Sequence, residues 1–109
     1  MSAYFVAHYN ILDRSRIDEV TALMQPIDAK YGAEVIVGSP VKSLEGKTHS
    51  NIVIYRFDSL EEAERWYFSD EQQEVKRLRT DITEGWAAIL PECAETQALV
   101  KMGYFACKA

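Results

Sequence analysis

The chain has 109 residues, room for one domain with one core and too little for two. Apolar residues make up 48% and charged residues 27%, a balance that excludes a wholly disordered chain. The net charge of -5 repels phosphate backbones and anionic lipid, so neither nucleic acid nor a membrane surface is an expected partner.

Residues 3–11, AYFVAHYNI, alternate. Phe5, Ala7, Tyr9 and Ile11 point one way and Tyr4, Val6, His8 and Asn10 the other, which predicts a strand with one apolar and one mixed face. Asp13 or Ser15 then caps a helix, with Ser15 and Asp18 resembling a capping box. Ile17, Val20, Met24, Ile27 and Tyr31 give that helix one apolar stripe, Pro26 predicts a kink in it, and Gly32 suits its left-handed end. EVIVGSPVKSL, residues 34–44, predicts a second strand interrupted at Gly38-Ser39-Pro40, hence an edge strand or a bulged one. NIVIYRF, residues 51–57, is the most strongly β-forming stretch.

Ser59 and Glu62 form a capping box for a helix from about Leu60 to Phe68. WYFSDEQQEVKRLR then stops one helix and starts another. Ser69 with Gln72 repeats the capping pattern, while Asp70 and Glu71 suit the positive end and Lys76, Arg77 and Arg79 the negative end of a short helix. Val75 and Leu78 should face inward. TEGWAAIL, residues 83–90, predicts a last strand ended by Pro91. Residues 1–91 are therefore expected to form the domain. The apolar tail within 92–109 is expected to pack on it or on a partner subunit.

No apolar run approaches the roughly 20 residues that cross a bilayer, and MSAYFVAHYNILDRSR lacks the features of a signal peptide. Cys93 and Cys107 follow no metal or redox spacing and read as reduced thiols of a cytoplasmic protein.

The order strand, helix, strand, strand, helix, strand is the ferredoxin-like α+β pattern, βαββαβ, an antiparallel sheet with helices on one face. The first strand should lie centrally, beside the third and fourth. Val6, Ile52 or Val53, and Trp86 or Ile89 should make the other face apolar. Such a patch marks a partner surface, and burying it against a second copy gives a two-fold homodimer.

The segments AYFVAHYNILD, AKYGAEVIV, VKSLEG, IVIYRFDSLEEAERWYFSDE and KRLR, in this order and spacing, resemble the family numbered thirteen-thirty among the domains of unknown function. The resemblance covers residues 3 to about 91. It implies the dimeric α/β barrel superfamily, a barrel made by two facing sheets, and no established activity. The chain departs from the family pattern at Gly38, Arg56, Asp58 and Gln72, where an arginine, an acid, a proline and a tyrosine are common.

His8 is the leading candidate for chemistry. It lies mid-strand with Asn10, and Arg56 on the neighbouring strand approaches both if its side of the sheet matches. His8 and Arg56 form the candidate catalytic pair, a neutral base or oxyanion donor beside a fixed charge. Asn10 is a binding anchor, and Trp66 with Tyr67 the apolar wall for one small anionic or phenolic ligand. The plainer reading makes His8, Asn10 and Arg56 a satisfied polar patch at the dimer seam and the two aromatics ordinary core. The composite site also requires His8 and Trp66, assigned to opposite sides of the sheet, to share one cavity. His49, in a polar loop, is expected to be exposed. The histidines and cysteines supply no local ligand pair, so no metal is expected, and no cofactor-binding motif is present.

Two functions stay open. One is a cofactor-independent enzyme that oxygenates or isomerises a small molecule; the other is a non-catalytic small-molecule-binding or assembly module. A pocket with convergent polar groups favours the first. A His8 held by backbone hydrogen bonds favours the second.

Overall fold

A computed structural model describes residues 2–92. The expected extension from Cys93 onward, with both cysteines, lies outside the described residues. The elements are β1 (Ala3–Ile11), α1 (Ile17–Tyr31), β2 (Glu34–Pro40), β3 (Asn51–Phe57), α2 (Leu60–Tyr67), α3 (Asp70–Ile82) and β4 (Thr83–Pro91). The strands form one antiparallel sheet in the order β2-β3-β1-β4, the ferredoxin-like α+β arrangement. None of the described helices is long and apolar enough to cross a membrane.

Local chemistry explains most boundaries. The Ser59 side chain accepts from the Glu62 N–H at 3.1 Å and starts α2. Ser69 accepts from the Gln72 N–H at 3.1 Å to start α3 and donates to the Trp66 carbonyl at 2.9 Å. One serine thus seals the end of α2 and the start of α3, satisfying orphan groups on both. α3 is not short: it runs 13 residues, directly into β4. α1 passes through Pro26 as a single helix and ends at Gly32, φ 70°. Its start differs from the capping-box expectation. Asp13 caps a short 3-10 turn at Arg14–Arg16, accepting from the Ser15 N–H at 3.0 Å, and α1 follows from Arg16 with no side-chain cap of its own.

β2 is an edge strand, but its irregularity falls between Val35 and Val37 rather than at Gly38-Ser39-Pro40, where pairing continues to Pro40. β2 and β4 are the two edges, and each ends on a proline. In β4, Gly85 has φ 151° and lies so close to β1 that a Cβ there would stand 2.7 Å from the Tyr9 Cα.

The core lies between the helices and one sheet face. Ala3, Phe5 and Ala7 of β1 meet Tyr55 and Phe57 of β3, Met24 and Ile27 of α1, and Ala63, Trp66 and Val75 of α2 and α3. Trp66 is fully enclosed, with Phe5, Phe57 and Tyr55 rings centred 4.9, 5.1 and 5.4 Å away. Burial of one such side chain contributes on the order of 2–3 kcal/mol. Its indole N–H would oppose that burial if unpaired; it donates to Asp28 Oδ1 at 3.0 Å.

Candidate functional site

The helix side of the sheet contains a cavity of about 590 Å³. Its origin is a run of small side chains. Ala7 of β1 and Ala87 of β4 are cross-strand partners, and Gly85 lies opposite Tyr9; all of these line the cavity. Ala7, Gly85 and Ala87 offer nothing larger than a methyl group to fill the space bordered by α1 and α3. The walls are apolar for the most part, with Phe5, Val20, Met24 and Val53 among them.

Among the polar side chains that line this space are Tyr9, Asp28, Tyr55 and Arg79. Burial raises the Asp28 carboxyl above its ordinary value, against hydrogen bonds from Trp66 and Tyr55 that pull it down. Tyr55 is pushed well up, first by burial and then by the Asp28 charge and hydrogen bond. Tyr9 is also raised by burial, with Arg79 opposing. Both phenols therefore stay protonated and act as neutral hydrogen-bond donors at physiological pH. The Arg79 guanidinium stands 6.0 Å from the Phe5 ring centre, and its Nε is buried with no hydrogen-bond partner among the described residues. Such a site can hold an anion or a polarised carbonyl, with a half-buried carboxylate on the same wall.

The other face carries the His8 group. Val6, His8, Ile52, Ile54, Trp86, Ala88 and Leu90 share it through the pairing register. His8 Nδ1 lies 2.9 Å from the Asn51 carbonyl oxygen, and Nε2 accepts from the His49 N–H at 2.9 Å. These partners assign a neutral ring with its proton on Nδ1. Both nitrogens are occupied by backbone. Asn10 is similarly engaged, accepting from the Ser50 N–H at 2.8 Å and donating to Glu84 at 3.2 Å. His8 and Asn10 together hold residues 49–51, the entry to β3. His49 is partly buried rather than simply exposed, its ring 5.0 Å from that of His8.

Arg56 shares this face but is not brought to His8. It is paired with Tyr4, four residues from His8, which is about 13 Å along a strand. It donates to Ser2 Oγ at 3.0 and 3.2 Å and faces Glu34 at 3.6 Å. Trp66 lies on the helix side, so the composite of His8 with Trp66 is not assembled within one chain: an intact sheet separates them. Tyr67 does line the helix-side cavity, while Trp66 stands behind it as core. Among the described residues no cluster of three or more His, Cys, Asp or Glu side chains is placed to hold a metal ion.

The sequence reading missed Tyr9, Asp28, Tyr55 and Arg79. A signal for one of them was present. Gln72, Val75, Arg79 and Ile82 recur at helical spacing, and Gln72, Val75 and Ile82 are the buried residues of α3. A cation on that inward stripe is anomalous in a packed core.

Fold and cavity define a small ferredoxin-like chain with a ligand-sized space between helices and sheet. Residues 2–93 match the family Domain of unknown function (DUF1330), and the chain belongs to it. No curated protein matches the chain. Among solved structures, a protein of unknown function from Rhodopseudomonas palustris is 12% identical, with a TM-score of 0.69 over 85% of this chain and 83% of that one. A dimeric ferredoxin-like protein of unknown function from Thermobifida fusca is 9% identical, with a TM-score of 0.60 over 84% and 91%. SnoaB, a cofactor-independent oxygenase from Streptomyces nogalater, is 8% identical, with a TM-score of 0.54 over 82% and 90%. At these identities the likeness is one of fold.

Proposed function

We propose that the protein binds one small, largely apolar organic molecule in the helix-side cavity and converts it without a cofactor. The observation that carries this reading is the convergence of Asp28, Tyr9, Tyr55 and Arg79 on an apolar space of about 590 Å³, a size and composition typical of ligand sites. Asp28, made more basic by burial, takes a proton from an acidic C–H or O–H of the ligand. The electron pair stays on the ligand as an enolate or similar anion, beside the Tyr9 hydroxyl and the Arg79 charge. Return of the proton at another atom is an isomerisation; reaction of the anion with dioxygen is an oxygenation. SnoaB, a cofactor-independent oxygenase on the same fold, supports the second outcome by analogy.

A non-catalytic binding module is the second reading, favoured by the engagement of both His8 nitrogens with backbone. NMR titration with enolisable aromatic ketones in D₂O separates the two. Shifts around Tyr9, Tyr55 and Arg79, with ligand C–H exchange lost in Asp28→Asn, are expected for the enzyme. Binding without exchange leaves the module, and shifts confined to His8, Asn10 and Trp86 would move the site to the other face.

The same chain is inferred to form a homodimer through the outer sheet face. Trp86 is 53% and Leu90 46% exposed there, beside Val37 and Val6, and the Thermobifida fusca neighbour is dimeric. Sedimentation should give a dimer at tens of micromolar; a monomer at that concentration counts against it. A cytoplasmic location rests on the cysteine usage alone.

A further inference from the structure

The geometry points to an aromatic or similarly apolar monocarboxylate as the ligand of the helix-side cavity, with Arg79 gripping the carboxylate by the end of its guanidinium. The inference rests on the cavity being the binding site, and it goes further by fixing the charge and shape of the ligand's polar end.

Three observations support it. First, Arg79 has no counter-ion among the described residues. The ion pairs among the described residues join Arg16 to Glu19, Lys30 to Glu71 and Arg56 to Glu34. Asp28, the carboxylate in the same cavity, accepts instead from Trp66. Lys76 adds a second cation, lining the cavity with its Nζ 5.4 Å from the Tyr67 ring centre. The cavity thus carries two cationic side chains against one carboxylate.

Second, Nε of Arg79 is shut in by the protein with no acceptor among the described residues, which leaves the two terminal Nη groups as the donors that a ligand can meet. Their N–H bonds form a planar fork whose spacing matches the two oxygens of a carboxylate. A phenolate offers one oxygen and uses half of that fork. A carboxylic acid is moreover ionised at neutral pH without help, whereas a phenol is not.

Third, the remainder of the cavity suits a ring. Phe5, Val53, Val20 and Met24 supply flat or flexible apolar surface. Tyr9 lines the same space and lies within the electrostatic reach of Arg79, so its hydroxyl is a second donor for the anion.

Calorimetric titration of the full chain with 2-naphthoate, its neutral isostere 2-naphthamide and 2-naphthol tests this, with NMR locating each ligand. The unsubstituted chain should bind 2-naphthoate at least about tenfold more tightly than 2-naphthamide, the scale of one charge-assisted hydrogen bond. Arg79→Gln should erase that preference by weakening 2-naphthoate alone, and Arg79→Lys should keep part of it. Equal affinity for 2-naphthoate and 2-naphthamide would overturn the carboxylate assignment and leave the cavity as the site. Tighter binding of 2-naphthol would overturn it in favour of a phenol. A preference that survives both Arg79 variants would overturn the role of Arg79. No cavity shifts with any of the three compounds would remove the cavity as the site, and this inference with it.

Discussion

The two faces of one sheet use polar side chains in opposite ways. On the outer face, His8 and Asn10 spend their hydrogen-bonding capacity on the backbone of residues 49–51 and on Glu84. On the helix face, Arg79 keeps a buried donor without an acceptor among the described residues, and Tyr9 and Asp28 border an unfilled space. Satisfied polar groups fix a fold; polar groups that border an open space are the ones a ligand can meet. A histidine in mid-strand attracts attention in a sequence, yet here its ring is spent on backbone, and the polar side chains that line a cavity lie across the sheet from it.

The largest effect should come where the faces cannot be separated. Gly85 lies in β4 against β1, and a Cβ there would collide with the His8 carbonyl and the Tyr9 Cα. Gly85→Ala should cost about 4 kcal/mol in urea denaturation, with loss of both the His8 contacts and the cavity. A stable Gly85→Ala protein would show that the strands can part without consequence.

His8→Ala should divide the faces. It frees the His49 N–H and Asn51 carbonyl and is expected to destabilise by about 2 kcal/mol, while ligand affinity at the helix-side cavity stays unchanged. A fall in that affinity at full folding would mean that the faces are coupled. Gln72→Met sharpens the contrast on the helix side. Gln72 is fully buried, and neither amide atom has a partner among the described residues. An apolar replacement of similar length should stabilise by about 1 kcal/mol, read as a raised Tm; a lowered Tm would reveal that the amide is satisfied.

The smallest effect is in pH dependence. Burial raises Asp28 above the ordinary 3.8, chiefly by desolvation. The folded protein therefore binds that proton more tightly than the unfolded chain does. The unfavourable contribution of Asp28 is complete above its folded value, shrinks as pH falls through it, and is gone below about 3.8. Comparing denaturation midpoints of the protein and Asp28→Asn between pH 7 and pH 4 should show Asp28→Asn ahead at pH 7 and the gap closing with acid. A gap that widens toward pH 4 would reverse the sign of the argument.

Element order, the Ser59 and Ser69 caps, the Gly32 terminus and the alternation of β1 were legible because each is local: the partner atoms lie within a few residues. The fate of His8 was not legible, since its partners are backbone atoms 41 and 43 positions away that no side-chain pattern announces. The cavity was harder still. It exists because Ala7, Gly85 and Ala87 are small where β1 and β4 run together, and register across 80 residues of chain is needed before that gap can be seen. Tyr67 was placed on the cavity wall from its helical position, and Trp66, its neighbour, turned out to be the core behind it. Val6, Ile52 and Trp86 do share the outer face, while the alternatives Val53 and Ile89 point to the helices.

The prolines at the ends of β2 and β4 bear on what this protein avoids. A sheet with two bare edges can recruit further strands indefinitely and grow into a fibril. Pro40 and Pro91 each remove a backbone donor where such growth would start, and the shift between Val35 and Val37 breaks the even spacing that a docking strand would copy. With both borders blunted, strand addition is disfavoured, and the flat apolar face is left as the surface where the proposed two-fold contact would close on itself and stop at two copies.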